Sequence, residues 1–426
     1  MDNISLSNNL RRPSSLFYGW WVVLAASIQG FFGVGIVISG FLVFFLPIRN
    51  DLDLNSASMS LVIGLAWAIS GVVAPAAGWL ADRYGTRRLV LIGGLVTGLG
   101  LVLLSFSTSY WHLLLFYSGV VSIGRVMGVT PTLMITVNQW FVRRKALAIS
   151  ILSTCYVSGG AAVVPLLAIG NAQFGWRTSL LSAGIFVIVL AIPVGLVLRN
   201  RPEDLGLQPD GDTPRIADIT RRSETTDEAD QDFTVRQAIS TSAFWLVLTG
   251  LVLRVSVADA VIIHQIPLLV WKGIDDQTAA LFLSLMFLIA IPLRLSLGLA
   301  GGYFSARWLL FVGMVTGAIG TLFIFLFNGG TAAVIFVTGL AVVEGVATTN
   351  WLVVGQYFGR KRFGSLVGIM TVSHSMGSLL SPVISGWVFD STHSYGGVLL
   401  AAAPLFLLGG VAFLMARKPG SGRPTD

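Results

Sequence analysis

Apolar runs long enough to cross a bilayer recur twelve times along this chain, and that repetition leaves few folds open. A helix needs about 20 apolar residues to span a hydrocarbon core of about 30 Å. Such runs fall near 18-46, 58-81, 88-107, 111-137, 145-170 and 178-198, then near 243-271, 278-301, 307-327, 331-357, 363-389 and 395-416. They lack the period-2 alternation of a membrane barrel strand, so the expectation is an all-α membrane protein of six plus six helices. Composition agrees: 54% of the 426 residues are hydrophobic and only 11% are charged, too apolar for a soluble globule. The 48 glycines suit helices that approach closely within lipid, Gly30, Gly33 and Gly35 of the first run among them.

A net charge of +7 could suggest nucleic acid, but the basic residues sit in short turns between apolar runs rather than on one soluble face. No nucleic-acid partner is expected. Arg11, Arg12, Arg83, Arg87, Arg88, Arg143, Arg144, Lys145, Arg307, Arg360, Lys361, Arg362, Arg417 and Lys418 gather on one side. Only Arg49, Arg177 and Lys272 fall on the other. The positive-inside rule then puts both termini in the cytoplasm of a multi-pass protein of the cell (inner) membrane. Residues 1-15 are polar, and the run after them is much longer than a signal-peptide core, so no cleavage is expected. The single cysteine, Cys155, lies in an apolar run, which excludes an intramolecular disulfide and argues against a metal cluster. No phosphate-cradling loop or nucleophile motif appears, so neither a cofactor nor an enzyme is expected. Pro202, Pro209, Asp210 and a mixed-charge run to Asp232 make 201-240 read as a poorly ordered cytoplasmic linker. It would divide a bundle at 1-200 from one at 241-426.

The halves echo one another. Gly78, Arg87, Leu89 and Gly93 reappear as Gly298, Arg307, Leu309 and Gly313, although Gly302 and Tyr303 stand where Asp82 and Arg83 would recur. Gln139, Trp140 and Phe141, followed by Arg143, Arg144 and Lys145, match Gln356, Tyr357 and Phe358, followed by Arg360, Lys361 and Arg362. With an even number of spans per half the repeats are parallel, and a substrate belongs at their interface. The turn Gly78, Asp82, Arg83, Gly85, Arg87 and Arg88 has two readings. Asp82 can cap a helix or pair with an arginine while the glycines let helices close up, making a conformational latch. Alternatively the arginines only mark the cytoplasmic side.

Charges inside the apolar runs mark the candidate site. Arg125 lies mid-span, where an arginine costs about 2.5-3.5 kcal/mol; Ser118, Ser122 and Thr132 share its helical face, so it lines a cavity or joins a structural ion pair. The seventh run carries Arg254, Asp259 and His264, with the first two five apart and off a common face. They could pair within the helix or with another span. Arg294 is deep in the eighth run with Ala290 one turn earlier, so it has no carboxylate on its own face and could hold a substrate carboxylate bidentately. Glu344 is a partner for an arginine or a proton carrier. Thr371, His374, Ser378 and Ser381 form a polar stripe in the eleventh run, where His374 either moves protons or is simply hydrogen-bonded. Three arginines against Asp259 and Glu344 leave one positive charge in excess, which favours an anion if these groups face one cavity.

G-x-x-x-D-R-x-G-x-R-R from Gly78 to Arg88 resembles the loop 2-3 signature of the major facilitator superfamily. That resemblance implies a transporter built as two pseudo-symmetric six-helix bundles, the major facilitator fold. Tyr18, Gly19, Trp20 and Trp21, then Phe44, Phe45, Leu46 and Pro47, resemble the branch of monocarboxylate transporters and oxalate:formate exchangers. So do Trp140-Phe141, Gly175-Trp176-Arg177, the run Arg201 to Leu207, and Phe244-Trp245 leading to His264, Gln265, Ile266 and Pro267. In that branch the arginine of the eighth helix binds the substrate carboxylate, and Arg294 falls there; His374 stands where the oxalate exchanger type has a basic residue. Ala290 and Ser39 depart from the aspartate and lysine of animal members. The expectation is a secondary active transporter of small organic anions, monocarboxylates first, working by alternating access with proton coupling. Arg294, Arg125, Arg254, His374 and Ser378 are the expected substrate contacts, and Asp259, Glu344 and His374 the proton carriers. An anion exchanger, a drug efflux carrier and a non-transporting sensor are the alternatives. Gly159, Gly160 and Pro165 do not have the spacing of the efflux motif G-x-x-x-G-P-x-x-G-G.

Overall fold

The computed structural model describes residues 17-211, 233-300, 305-359 and 363-419. Arg11, Arg12, Gly302, Tyr303, Arg360, Lys361 and Arg362 lie outside the described residues, as does the side chain of Asp82. Helices make up nearly all of what is described: α1 (Tyr18–Asp51), α2 (Ser56–Tyr84), α3 (Thr86–Ser105), α4 (Tyr110–Trp140) and α5 (Lys145–Val197), then α6 (Ser242–Ile262), α7 (Gln265–Trp271), α8 (Asp276–Ala300), α9 (Ala306–Leu326), α10 (Gly330–Phe358), α11 (Phe363–Thr392) and α12 (Gly396–Met415).

Among the described residues eleven helices are long and apolar enough to cross a membrane. The fifth and sixth runs of the sequence account for the difference from twelve, because they join in α5. Its 53 residues would reach about 80 Å as a straight rod, far beyond one bilayer. At Gly175 the backbone leaves helical geometry, with φ 77° and ψ 165°. A side chain there would be strained, and glycine lets the chain turn back for a second crossing. The seventh run also departs from a single helix: α6 ends at Ile262 and α7 restarts at Gln265, across Ile263 and His264.

Close backbone contact, rather than hydrophobic drive, holds helices together in lipid. A Cβ added at Gly35 would meet the Gly159 carbonyl oxygen at 2.8 Å, and one at Gly30 would meet the Tyr156 ring at 2.2 Å. The α1 and α5 backbones are therefore pressed together by their lack of side chains. The internal repeat is physical as well. Trp140 Nε1 donates to the Arg199 carbonyl at 3.1 Å, and Tyr357, its counterpart 217 positions on, donates to the Ala416 carbonyl at 2.8 Å. Each aromatic ties the end of one span to the exit of the last span in its half. Likewise Phe141 packs edge-on against Phe17, and Phe358 against Phe233.

Residues 212-232 of the expected linker lie outside the described residues, and the described stretch before them is anchored. Asp210 is buried and its carboxylate accepts from the backbone N–H groups of Val142, Arg143 and Arg144 at 2.7-3.1 Å. Three converging donors satisfy that charge.

α2 and α11 come from opposite halves and lie side by side as a wedge. At the Ser56 end they touch: a Cβ at Gly386 would meet the Ala57 nitrogen at 2.7 Å, and one at Gly64 the Leu379 carbonyl at 2.8 Å. One heptad further along α2, a Cβ added at Gly71 would lie 3.7 Å from the Ser375 hydroxyl; at Gly78, and at Gly368 on α11, no described residue comes within 4 Å of such a Cβ. Among the described residues no close approach is made at Gly78. Gly85 does carry the turn: its φ of 85° needs glycine, and the Asn200 side chain fills the space beside it.

Candidate substrate-binding site

Two irregular helical stretches face each other beside the midpoint of the bundle. α1 winds as a π-helix over Gly35–Ser39 and as a 3-10 helix over Gly40–Phe44, and α4 winds as a π-helix over Leu114–Val121. A π turn is wider and a 3-10 turn tighter than an α turn, and such changes of pitch re-aim side chains and free carbonyls. Tyr117 takes up one of them, donating to the Val37 carbonyl at 3.0 Å while its ring stacks on Phe41 at 3.6 Å. The turn after the α4 irregularity carries Ser122 and Arg125. Between these stretches and α6, α8 and α10 lies a cavity of about 350 Å³.

Arg125, Asp259, Arg294 and Glu344 all line this cavity. Arg125 is buried, donates to the Ser70 hydroxyl, and lies 4.7 Å from the centre of the Trp67 ring. It has no carboxylate within 4.0 Å among the described residues, so a hydroxyl and an aromatic face are all that offset its charge. Across the cavity, Glu344 answers two arginines. Its Oε2 is 3.5 Å from Arg294 Nη2 and its Oε1 is 3.9 Å from Arg254 Nη1. Arg294 also donates to the Glu344 carbonyl and Arg254 to the Val343 carbonyl, each at 3.3 Å. The Nε atoms of both arginines are buried without a hydrogen-bond partner. One carboxylate at these distances leaves the pair under-satisfied.

Arg294 therefore does have an acidic neighbour, supplied by α10 rather than by its own helix. Glu344 fills the arginine-partner role, and Arg254 pairs outside α6, behind the cavity wall. Asp259 lies beside the Ser378 side chain from α11. Ser378 and His374 do not line the cavity, although His374 Nδ1 is buried and unpartnered. With both carboxylates ionised, the five charged groups sum to one positive charge.

His264 has a structural place. Its Nε2 lies 2.9 Å from the Pro382 carbonyl and 2.8 Å from Ser60 Oγ, and its Nδ1 lies 3.0 Å from the Tyr395 hydroxyl. A carbonyl only accepts, so Nε2 carries the proton; Ser60, whose own hydrogen goes to the Ser56 carbonyl at 2.7 Å, accepts too. In the neutral ring Tyr395 donates to Nδ1. This neutral ring ties α2 to α11 and to the start of α12 at the closed end of the wedge. Beside it, Asp390 caps α2 across the halves: its Oδ1 accepts from Ser56 N at 2.9 Å and its Oδ2 from Ala57 N at 2.8 Å. A carboxylate on a helix N-terminus is favoured by both hydrogen bonding and the helix dipole.

Trp67, Ser70, Tyr117 and Tyr156 belong to the site without having been legible as candidates. Each sits on an apolar run at a spacing that also suits packing. The one available signal is that Trp67 and Ser70 share a face of α2. The Tyr156 hydroxyl is buried without a partner, and Tyr156 lines the cavity, so a further donor stands by.

Known proteins agree with this architecture. A family model described as Major Facilitator Superfamily matches residues 28–270 and 255–426. Monocarboxylate transporter 2 of Rattus norvegicus is 26% identical over 418 residues, covering 93% of this chain and 83% of that protein. Monocarboxylate transporter 13 of Bos taurus is 27% identical over 398 residues, covering 92% of this chain and 88% of that protein. Among solved structures, a bacterial homolog to the human lysosomal transporter Spinster, in an inward-facing and occupied conformation, superposes with a TM-score of 0.73 over 95% of this chain and 97% of that one. At 18% identity that likeness concerns the fold. With its membrane-crossing helices, internal repeat and central charged cavity, the chain is a multi-pass membrane transporter and belongs to the Major Facilitator Superfamily.

Proposed function

We propose that this transporter carries a small organic anion, in first place a monocarboxylate, by alternating access with proton coupling. The observation that carries the reading is Arg125, buried without a carboxylate partner among the described residues, facing Arg294 and Glu344 across about 350 Å³, with Arg254 behind them. That volume suits a small ligand. A carboxylate entering it meets Arg125 on one side and Arg294 on the other, with the Tyr156 hydroxyl as a further donor. The names of the relatives support the same substrate class.

Glu344 competes with the incoming carboxylate for Arg294. When Glu344 takes a proton it releases both arginines, so anion and proton enter together with no change in the net charge of the site. This makes Glu344 the coupling residue; Asp259 and His374 are secondary. Anion exchange without a proton is the second reading, favoured by Arg125 itself, a fixed charge that needs no proton to receive an anion.

Access alternates as the bundles at 1-200 and 241-426 rock about the cavity. With both termini cytoplasmic in the inner membrane, the Ser56 end is outward and shut by Asp390 and His264, while the wedge between α2 and α11 opens inward. The turn from Gly78 to Arg88 would latch that side in the opposite state. Asp390→Ala removes two charge-assisted bonds, each worth about 1.5 kcal/mol or more. It should move the population toward the outward-open form at least tenfold, read as a longer distance between spin labels at the outer ends of α2 and α11. An unchanged distance distribution would remove Asp390 from the gate.

Arg294→Lys tests the carboxylate anchor. A lysine keeps the charge and loses the planar fork, so uptake of short monocarboxylates into proteoliposomes should fall roughly tenfold or more. Unaltered uptake kinetics would exclude Arg294 from the site.

A further inference from the structure

A second concave site lies at the Arg87 end of the bundle, remote from the central cavity. It is a groove of about 860 Å³ between the α2–α3 turn and the second arm of α5. Arg83, Arg87, Arg88 and Arg201 stand in it against a single described carboxylate, Asp204. Arg87 is held in place, its Nε donating to the Gly195 carbonyl at 2.7 Å and its backbone N–H to Asn200 Oδ1 at 2.9 Å. Its terminal nitrogens have no hydrogen-bond partner among the described residues. The Arg83 guanidinium lies over the rings of Trp79 and Tyr84, at 5.3 and 5.6 Å. Arg88 is exposed and has no ion-pair partner among the described residues.

The rest of the groove is aliphatic. Ile192 and Leu196 are 50% and 61% exposed, and they continue the wall made by Leu91 and Leu95. These side chains belong to membrane-crossing helices, so their exposed faces meet acyl chains rather than water. Guanidinium groups above and an aliphatic wall below, where α3 leaves the hydrocarbon, match the two ends of a phospholipid. The phosphate diester meets the arginines by charge-assisted hydrogen bonds, and one acyl chain lies along Leu95, Ile192 and Leu196. Gln139 Oε1, also in this groove, is buried without a partner and can accept from a headgroup hydroxyl. A free phosphate would leave the aliphatic wall unused. A zwitterionic lipid would leave the positive charge unanswered.

We propose that this groove binds one anionic phospholipid, which bridges the α2–α3 turn to the far arm of α5. Native mass spectrometry of the detergent-solubilised full chain, titrated with phosphatidylglycerol or phosphatidylcholine, tests it. One phosphatidylglycerol should stay bound under activation that strips phosphatidylcholine. Arg88→Gln combined with Arg201→Gln should weaken that binding roughly tenfold or more, from the attraction each basic residue exerts on an anionic headgroup. Ile192→Asn should weaken it too while leaving every charge in place, and the melting temperature of each variant in neutral lipid reports whether it is folded. Equal retention of the two lipids, or full retention in a folded Arg88/Arg201 variant, overturns the proposal. Displacement of phosphatidylglycerol by millimolar inorganic phosphate, with Ile192→Asn indifferent, assigns the groove to a free anion and overturns it as well.

Discussion

Arg125→Gln is expected to weaken binding of short monocarboxylates about 100-fold or more while leaving the fold intact. The size follows from removing a buried charge that meets its partner away from water, a loss of about 2–5 kcal/mol. The tolerance of the fold follows from the surroundings. Arg125 is held by Ser70 and Trp67, neither of which is charged, so glutamine strands no buried carboxylate. Titration calorimetry against one- to four-carbon carboxylates, with melting temperature as control, measures both parts. A dissociation constant within twofold of the parent would mean that the anion sits elsewhere.

Glu344→Gln should separate coupling from carriage. Glutamine has the shape of a protonated glutamate, so the variant is fixed in the form that frees Arg254 and Arg294. Counterflow of labelled monocarboxylate should persist at a comparable rate, whereas an imposed pH gradient should no longer drive net accumulation. A stability loss of about 1–3 kcal/mol is expected as well. Two arginines lose their shared carboxylate, but the glutamate side chain is 26% exposed, which moderates the full cost of breaking a buried pair. Retained gradient-driven accumulation would move coupling to Asp259 or His374, or favour simple exchange if the gradient proves irrelevant in the parent too.

The membrane-crossing pattern was readable because hydrocarbon thickness dictates the length of each run. What hid from it was continuity. Residues 171-177 look like a connection, yet Asn171 to Phe174 remain helical and only Gly175 breaks the geometry, which a hydropathy pattern does not distinguish. Among the candidate residues that line the cavity, Arg125 and Arg294 stood out by the cost of placing a guanidinium at such depth. The partner of Arg294 did not. Spacing along one helix reports which residues share its face and is silent on which face of another helix lies opposite, so Glu344 could be named but not joined to two arginines. Asp390 escaped notice because a carboxylate at the end of an apolar run looks like an ordinary boundary, and its work lies with a helix start 334 positions earlier. The doubling was legible in outline, and Trp140 with Tyr357 gives it a mechanical meaning that letter matching alone does not.

A glycine inside a helix costs about 0.5–1 kcal/mol relative to alanine, and at Gly64 the cost is matched by contact with a neighbouring backbone. Two heptads further on, Gly78 is equally bare, and no described residue comes within 4 Å of the space a side chain would take there. In a chain with a single resting shape such a position would be free to fill. Under the alternating access proposed above, its emptiness is a reserved berth: that stretch of α2 would be written for a second architecture of the same molecule, whose contacts the present one does not make.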